Sequence, residues 1–229
     1  TIAAFIAEPV QGAGGVIIPP ATYFERIQAV LRRHGILLVA DEVITGFGRT
    51  GQMFGSQTFG LQPDIMTVAK ALSSAYLPIS ATLMSKAVFD SVAAGSRKNG
   101  SFAHGVTYSG HPACAAVANE TLKIYAERDI VGQVQRNAPQ FQARLQALGQ
   151  HPLVSHVRGV GMIGGLEIAQ DLALRVQNAA AEQGLIVRAL RDAVAVCPPL
   201  IITPAQIDEL FDKLGRALDV VLAESPAAG

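Results

Sequence analysis

The chain has 229 residues, half of them hydrophobic, and its 18 basic and 18 acidic side chains leave no formal net charge. That is enough apolar material for one large domain or two small ones, and the charge balance argues against nucleic acid or an anionic membrane as the principal partner. Two cysteines, Cys114 and Cys197, are too few for a disulfide framework and fit a reducing, cytoplasmic setting.

In chain order, the first element is a strand over residues 2–7 (Ile2 to Ala7), already under way where the sequence begins. With neither an initiator methionine nor a signal-peptide pattern there, the chain reads as a segment of a longer protein. Thr22 and Glu25, after Pro19-Pro20, have the spacing of a capping box and predict a helix that Gly35 closes. Three further apolar runs, Ile36 to Ala40, Ile65 to Ala69 and Ile79 to Met84, predict strands. Apolar on both faces, they suit a sheet covered on both sides by helices, which is α/β organisation.

A second helix is predicted from Pro112 towards Arg128, with proline suited to the first turn. Beyond it, strands are expected over Val154 to Val160, Leu166 to Ile168, Leu185 to Leu190 and Ala193 to Cys197, with a helix over Leu172 to Gln183. Thr203 and Gln206 cap a last amphipathic helix, and the tail from Glu224 to Gly229 is expected to fray. No stretch is apolar and long enough to span a bilayer as a helix.

Two residues point to chemistry. Lys70 ends the apolar run Pro63-Asp64-Ile65-Met66-Thr67-Val68-Ala69-Lys70, where burial is expected to lower its pKa and make its amine a nucleophile for carbonyls. Asp41 ends the run Ile36-Leu37-Leu38-Val39-Ala40, and ligands of open α/β sheets bind beyond the carboxyl ends of strands. A Schiff-base lysine with an acid for a pyridinium nitrogen is the protein's contribution to pyridoxal phosphate chemistry. Taken singly, each has a plainer reading, as a turn aspartate and a solvated strand-end lysine.

Two glycine patterns, Gly46 to Gly51 and Gly159 to Gly164, match the dinucleotide-binding spacing, but neither is followed by the helix such a site requires. The five histidines lack metal-ligand spacing, so no metal site is expected. His151 and His156 are expected at the surface, and both cysteines as small core hydrophobes.

Four blocks occur in order: Glu8-Pro9-Val10-Gln11-Gly12; Asp41-Glu42-Val43-Ile44-Thr45-Gly46-Phe47-Gly48-Arg49-Thr50-Gly51; Pro63 to Lys70; and Thr107-Tyr108-Ser109-Gly110-His111-Pro112. Together they resemble the class III aminotransferases, or ω-aminotransferases, fold-type I enzymes that use pyridoxal 5'-phosphate. The resemblance runs through essentially the whole chain. It implies that Lys70 and Asp41 are catalytic, Lys70 anchoring the cofactor and shuttling a proton, Asp41 pairing with the ring nitrogen. It further implies that Val43 packs on the ring, that Glu8 and Gln11 line the site, with a structural carboxylate capping backbone amides as the alternative for Glu8, and that Thr107 binds the cofactor phosphate of a neighbouring subunit in a homodimer or homotetramer. Arg188 matches the arginine that holds a substrate carboxylate, with a surface salt bridge as the alternative, and Tyr76 a pocket aromatic, with core packing as the alternative.

The fold so implied is part of a mostly parallel-sheet PLP-transferase large domain, residues 1–118, followed by a smaller α+β C-terminal domain, residues 119–229. The activity implied is transfer of an amino group from an amine or ω-amino acid to a keto acid such as pyruvate. Other reactions on the same scaffold (aminomutase, epimerase or decarboxylase) and a non-catalytic fragment stand as alternatives. Three departures from the family pattern are visible: Ala71 in place of glycine, a shortened segment between Ile168 and Leu174, and no glycine/serine phosphate loop or ring-stacking aromatic of the family's N-terminal half.

Overall fold

The computed structural model describes residues 1–224. It divides into two compact units, the first comprising residues 1–9, 19–47 and 54–129, the second residues 10–18, 48–53 and 130–229. Two short excursions, 10–18 and 48–53, therefore leave the first unit and belong to the second.

The first unit holds strands β1 (Ala4–Ala7), β2 (Leu37–Asp41), β3 (Ile65–Val68) and β4 (Ala81–Met84) and helices α1 (Tyr23–His34), α2 (Gly55–Thr58), α3 (Lys86–Asn99) and α4 (Pro112–Glu127). Its sheet has the order β1-β2-β3-β4; the first two pairings are parallel and β4 runs antiparallel to β3. This is the expected α/β arrangement with one reversed edge strand. Asp64 sets the β2–β3 register: its side chain accepts from the Leu38 amide at 2.8 Å, and its own amide donates to the Leu38 carbonyl at 2.8 Å.

Phe24 and Leu31 of α1 pack with Leu38, Leu61, Phe5 and Ala7 on one face of the sheet. The sequence pattern suggested that both faces are covered. On the other face, however, Ile6 is 63% exposed and Leu37 and Val39 are only half-buried. The run of apolar residues reports strand propensity correctly but, in this chain, not the second covering layer.

Thr22 does not cap α1: it already has helical torsions and makes no side-chain bond. The Pro19-Pro20 turn explains this, because the Tyr23 amide donates to the Pro20 carbonyl at 2.9 Å, so the chain winds up before the extended geometry of a cap is reached. The other end follows the sequence. Gly35, at φ 62, closes the helix with its amide on the Leu31 and Arg32 carbonyls.

The second unit holds helix α5 (Ile130–Ala147), strands β5 (Val154–Val160) and β6 (Ile163–Ile168), helix α6 (Gln170–Glu182), strands β7 (Arg188–Leu190) and β8 (Ala193–Val196), and helix α7 (Pro204–Glu224). All pairings in its sheet, ordered β5-β6-β8-β7, are antiparallel. The core joins Phe141 and Leu145 of α5, Ile163 and Leu166 of β6, and Ile207, Phe211 and Leu214 of α7, all buried, with the Phe141 and Phe211 rings 5.1 Å apart. Helices α3 and α5 are additions to the sequence reading, although Ser85 caps α3 by accepting from the Val88 amide at 3.4 Å and Gly100 closes it at φ 80. α3 buries none of its residues, and α5 continues through Pro139, a residue that usually ends a helix.

The second glycine pattern has a packing explanation. A Cβ on Gly164 would lie 2.4 Å from Leu145 Cδ2, one on Gly159 2.8 Å from the same atom, and Gly161 turns the β5–β6 hairpin at φ 56. The expectation that strand, not helix, follows Gly164 holds.

Some expected surfaces and cores are reversed. The His151 side chain is only 12% exposed; its Nδ1 accepts from the Leu153 amide and its Nε2 lies 3.4 Å from Asp219. Cys197 is exposed and Cys114 half-buried, so neither is a core hydrophobe. Cys197 lies past the end of β8, in the Pro198-Pro199 connection that leads the chain out of the sheet. The expected fraying over 225–229 lies outside the described residues, while Glu224 closes α7 and pairs with Arg175 at 3.1 Å. No described helix is long and apolar enough to cross a membrane.

At α7 the capping box forms as expected: the Thr203 amide donates to Gln206 Oε1 at 3.0 Å, and the Gln206 amide donates to Thr203 Oγ1 at 3.3 Å. In denaturant unfolding, T203A is therefore expected to lose about 1 kcal/mol of stability and T22A no more than a few tenths, since only Thr203 caps.

Candidate active site

The parallel register places three candidate residues at one end of the first unit's sheet. Ala7 pairs with Ala40 and Asp41 with Thr67, so Glu8 follows β1, Asp41 ends β2 and Lys70 follows β3, all at carboxyl ends of neighbouring strands. Asp41 is half-buried, and its Oδ1 accepts from the Val43 amide at 3.0 Å, which orients the carboxylate over the turn. Val43 and Glu8 are half-buried at the same edge.

Lys70 departs from the expectation of burial. Its side chain is exposed, because β3 stops at Val68 and Lys70 adopts φ 45, the left-handed region, which turns the chain out of the sheet into a 3-10 turn over Lys70–Leu72. Ser74 and Ala75 are also left-handed, at φ 49 and 63. Three such non-glycine residues within six positions represent stored backbone strain, of the kind that accumulates at functional sites. Ser73, buried between them, ties the turn by donating from Oγ to the Leu77 carbonyl at 2.6 Å.

Glu42 is the residue that sequence reasoning does not single out. It is fully buried, and its two oxygens accept four hydrogen bonds: Oε2 from Thr45 Oγ1 (2.5 Å) and the Gly55 amide (2.9 Å), Oε1 from the Ser56 amide (2.6 Å) and Ser56 Oγ (2.5 Å). This ties the end of β2 to the first turn of α2. Gly55 fits because a Cβ there would sit 2.8 Å from Thr45 Cβ and 2.9 Å from Pro9 Cβ. An acidic residue directly after Asp41, followed three positions later by threonine, was the available signal, but its other partners lie 13 and 14 residues further along.

The remaining candidates of the first unit are exposed. Thr107 lies in a turn where the Ser109 amide donates to the Val106 carbonyl at 2.9 Å and the Val106 amide to Ser109 Oγ at 3.3 Å. Tyr76 is 80% exposed, which removes core packing as its role in this chain.

In the second unit, Gln11 is exposed and exchanges two backbone hydrogen bonds with Ile17, at 3.1 and 3.0 Å, closing the 10–18 excursion. Arg188 opens β7 opposite Ala195 of β8 and is exposed, with no ion pair among the described residues, so the salt-bridge alternative finds no support. A cavity of about 800 Å³ in this unit is lined by Leu185, Ile186, Cys197, Pro198, Ile201 and Lys213, among others, and includes neither Asp41 nor Lys70. At its rim Lys213 lies 2.7 Å from Glu209 and holds that exposed carboxyl below its ordinary range through hydrogen bonding and charge. Among the described residues no cluster of three His, Cys, Asp or Glu side chains is placed to hold a metal.

The family model for class III aminotransferases matches residues 1–218. The chain belongs to the class III aminotransferase family. A probable gamma-aminobutyrate transaminase 3, mitochondrial, of Oryza sativa subsp. indica is 50% identical over 230 aligned residues, covering 95% of this chain and 45% of the relative. The gamma aminobutyrate transaminase 3, chloroplastic, of Solanum lycopersicum is 48% identical, covering 95% of this chain and 44% of the relative. Among solved structures, an omega transaminase from Pseudomonas jessenii in complex with PMP matches with a TM-score of 0.97 at 46% identity, over 100% of this chain and 53% of that one. This class III chain thus spans about half the length of the relatives it matches.

Removing the Glu42 carboxylate leaves buried backbone donors unsatisfied. E42A is expected to cost about 3 kcal/mol or more in denaturant unfolding, and E42Q somewhat less, with faster hydrogen exchange at the Gly55 and Ser56 amides in both.

Proposed function

We propose that this chain carries the central residues of a pyridoxal phosphate-dependent transaminase that moves an amino group from an amine or ω-amino acid to a keto acid such as pyruvate. The observation that carries the reading is the register of β1, β2 and β3, which sets Glu8, Asp41 and Lys70 at adjacent carboxyl ends, with Lys70 held in a strained left-handed turn. Family membership and the gamma-aminobutyrate transaminases among the relatives support the reaction class and an ω-amino donor.

The donor set fits the cofactor: a primary amine, an oriented carboxylate and an apolar side chain at one sheet edge. When bound, pyridoxal phosphate supplies the electron sink that makes the substrate's carbon acidic. Lys70 would hold the cofactor and, through Nζ, would take and return the proton moved in the reaction. Asp41, steadied by the Val43 amide, would keep a proton on the ring nitrogen. Val43 would pack against the ring, and Glu8 and Gln11 would supply hydrogen bonds around it. Arg188 takes the substrate carboxylate through paired N–H donors, and Tyr76 borders the substrate.

Thr107, in its exposed turn, is assigned to the cofactor phosphate of a second subunit, which makes the working unit a homodimer or homotetramer. A reducing compartment such as the cytoplasm fits the low cysteine content.

With the full-length gene product, borohydride treatment in the presence of pyridoxal phosphate is expected to fix one cofactor on Lys70, read by peptide mass spectrometry. K70A is expected to abolish amino transfer to pyruvate, and D41N to lower turnover roughly 100-fold or more. Loss of trapping, or full activity in K70A, refutes the reading.

A further inference from the structure

The block that begins with Asp41 contains one basic residue, Arg49, in the 48–53 excursion that belongs to the second unit. Its Nη1 donates to two backbone carbonyls from separate segments of that unit, Met162 at 2.9 Å and Pro198 at 2.7 Å. The main chain adds to this. The Met162 amide donates to the Arg49 carbonyl at 2.9 Å, and Gly161 approaches so closely that a Cβ there would sit 2.5 Å from that carbonyl oxygen. Arg49 is thus fastened to the β5–β6 hairpin by backbone and reaches across to Pro198 by side chain.

Pro198 is two residues beyond the end of β8. Arg188, at the start of β7, pairs with Ala195 near that same end of β8, since the two strands are antiparallel. The open end of the β7–β8 hairpin therefore has one strand beginning at Arg188 and the other leading into the carbonyl that Arg49 holds. Further along β7, the Ala189 amide donates to Gln177 Oε1 of α6 at 2.7 Å. Arg188 itself makes no ion pair among the described residues, so its placement depends on how firmly its hairpin is held. A guanidinium is well suited to hold that end, since it stays charged at every working pH and its charge-assisted bonds to carbonyls are stronger than neutral ones.

We infer that Arg49 is a positioning residue for substrate selection, fixing the open end of the β7–β8 hairpin so that Arg188 is held where it meets a substrate carboxylate. It acts on acids and not on uncharged substrates. This rests on the proposed role of Arg188 in transamination.

The test uses the full-length gene product loaded with pyridoxal phosphate, with 1-phenylethylamine as donor and either pyruvate or the uncharged acceptor butanal. R49M is expected to raise the KM for pyruvate on the order of tenfold while the KM for butanal and the cofactor occupancy stay within about twofold of wild type. R49K, which retains a cationic donor, is expected to raise it less. In the R188M background, R49M is expected to add little to the pyruvate KM, because both substitutions act on one contact. If R49M leaves the pyruvate KM unchanged, raises both KM values alike, or keeps its full effect beside R188M, the inference is overturned. Should R49M fail to fold, R49K is read by the same double-mutant cycle. Absence of any amino transfer in wild type, or an R188M enzyme with unchanged pyruvate KM, refutes instead the underlying reading of the site.

Discussion

The fully buried carboxylate of Glu42 is the constraint around which the first unit's site is organised. Removing a carboxylate from water carries a penalty of several kcal/mol, and the charge is tolerated only where hydrogen bonds replace the lost solvent. Here four donors do so, from Thr45, Gly55 and Ser56. Each bond to the charged group contributes about 1.5–3 kcal/mol, enough together to offset the desolvation. The geometric effect matters as much as the energy. The chain leaving β2 must double back within a few residues to present Thr45, and must bring α2 alongside, which leaves no slack in the residue immediately before Glu42. That residue is Asp41. A rigid turn behind it, and the Val43 amide on its Oδ1, give the acid one orientation.

The same logic separates the two neighbouring acids. Glu42 points into protein and spends both oxygens on structure, whereas Asp41 is half-buried and uses one oxygen on the Val43 amide. On adjacent positions of an extended segment, side chains project to opposite sides, so a single strand end supplies both a buried anchor and a more accessible carboxylate. Lys70 follows a related rule on the next strand. Extended backbone ends at Val68, and the left-handed torsion at Lys70 carries its amine out of the sheet instead of into a helical cap.

The second unit contributes through a different device. Its antiparallel sheet is packed so closely on α5 that Gly159 and Gly164 have no room for a side chain, and Arg49 links the tip of one hairpin to the foot of another. Close packing of this kind makes the position of an exposed residue such as Arg188 a property of the whole unit and not of its own short strand. A three-residue strand by itself holds little.

Much of this was legible from the residues alone. Apolar runs ending in Asp41 and Lys70 marked strand ends, Gly35 and Thr203 marked helix boundaries, and the four motif blocks marked the family, because each is a local pattern whose meaning lies within a few positions. Local pattern failed where partners are distant or packing overrides it. Thr22 has the spacing of a cap but is wound into the helix by the prolines before it, and α5 runs through Pro139 because Phe141 and Leu145 bury themselves against other elements. Nor does any local pattern reveal that Glu42 rather than Asp41 is the buried acid, or that Lys70 is exposed. Those outcomes depend on which donors the fold brings to a carboxylate across 13 or 14 residues and on where a strand leaves its sheet. The sequence by itself determined the family and the order of the strands, and it singled out Asp41 and Lys70 as candidates. Only the tertiary structure decided which of them are fixed by buried hydrogen bonds and which project to the surface, because desolvation and packing are settled between segments far apart in the chain.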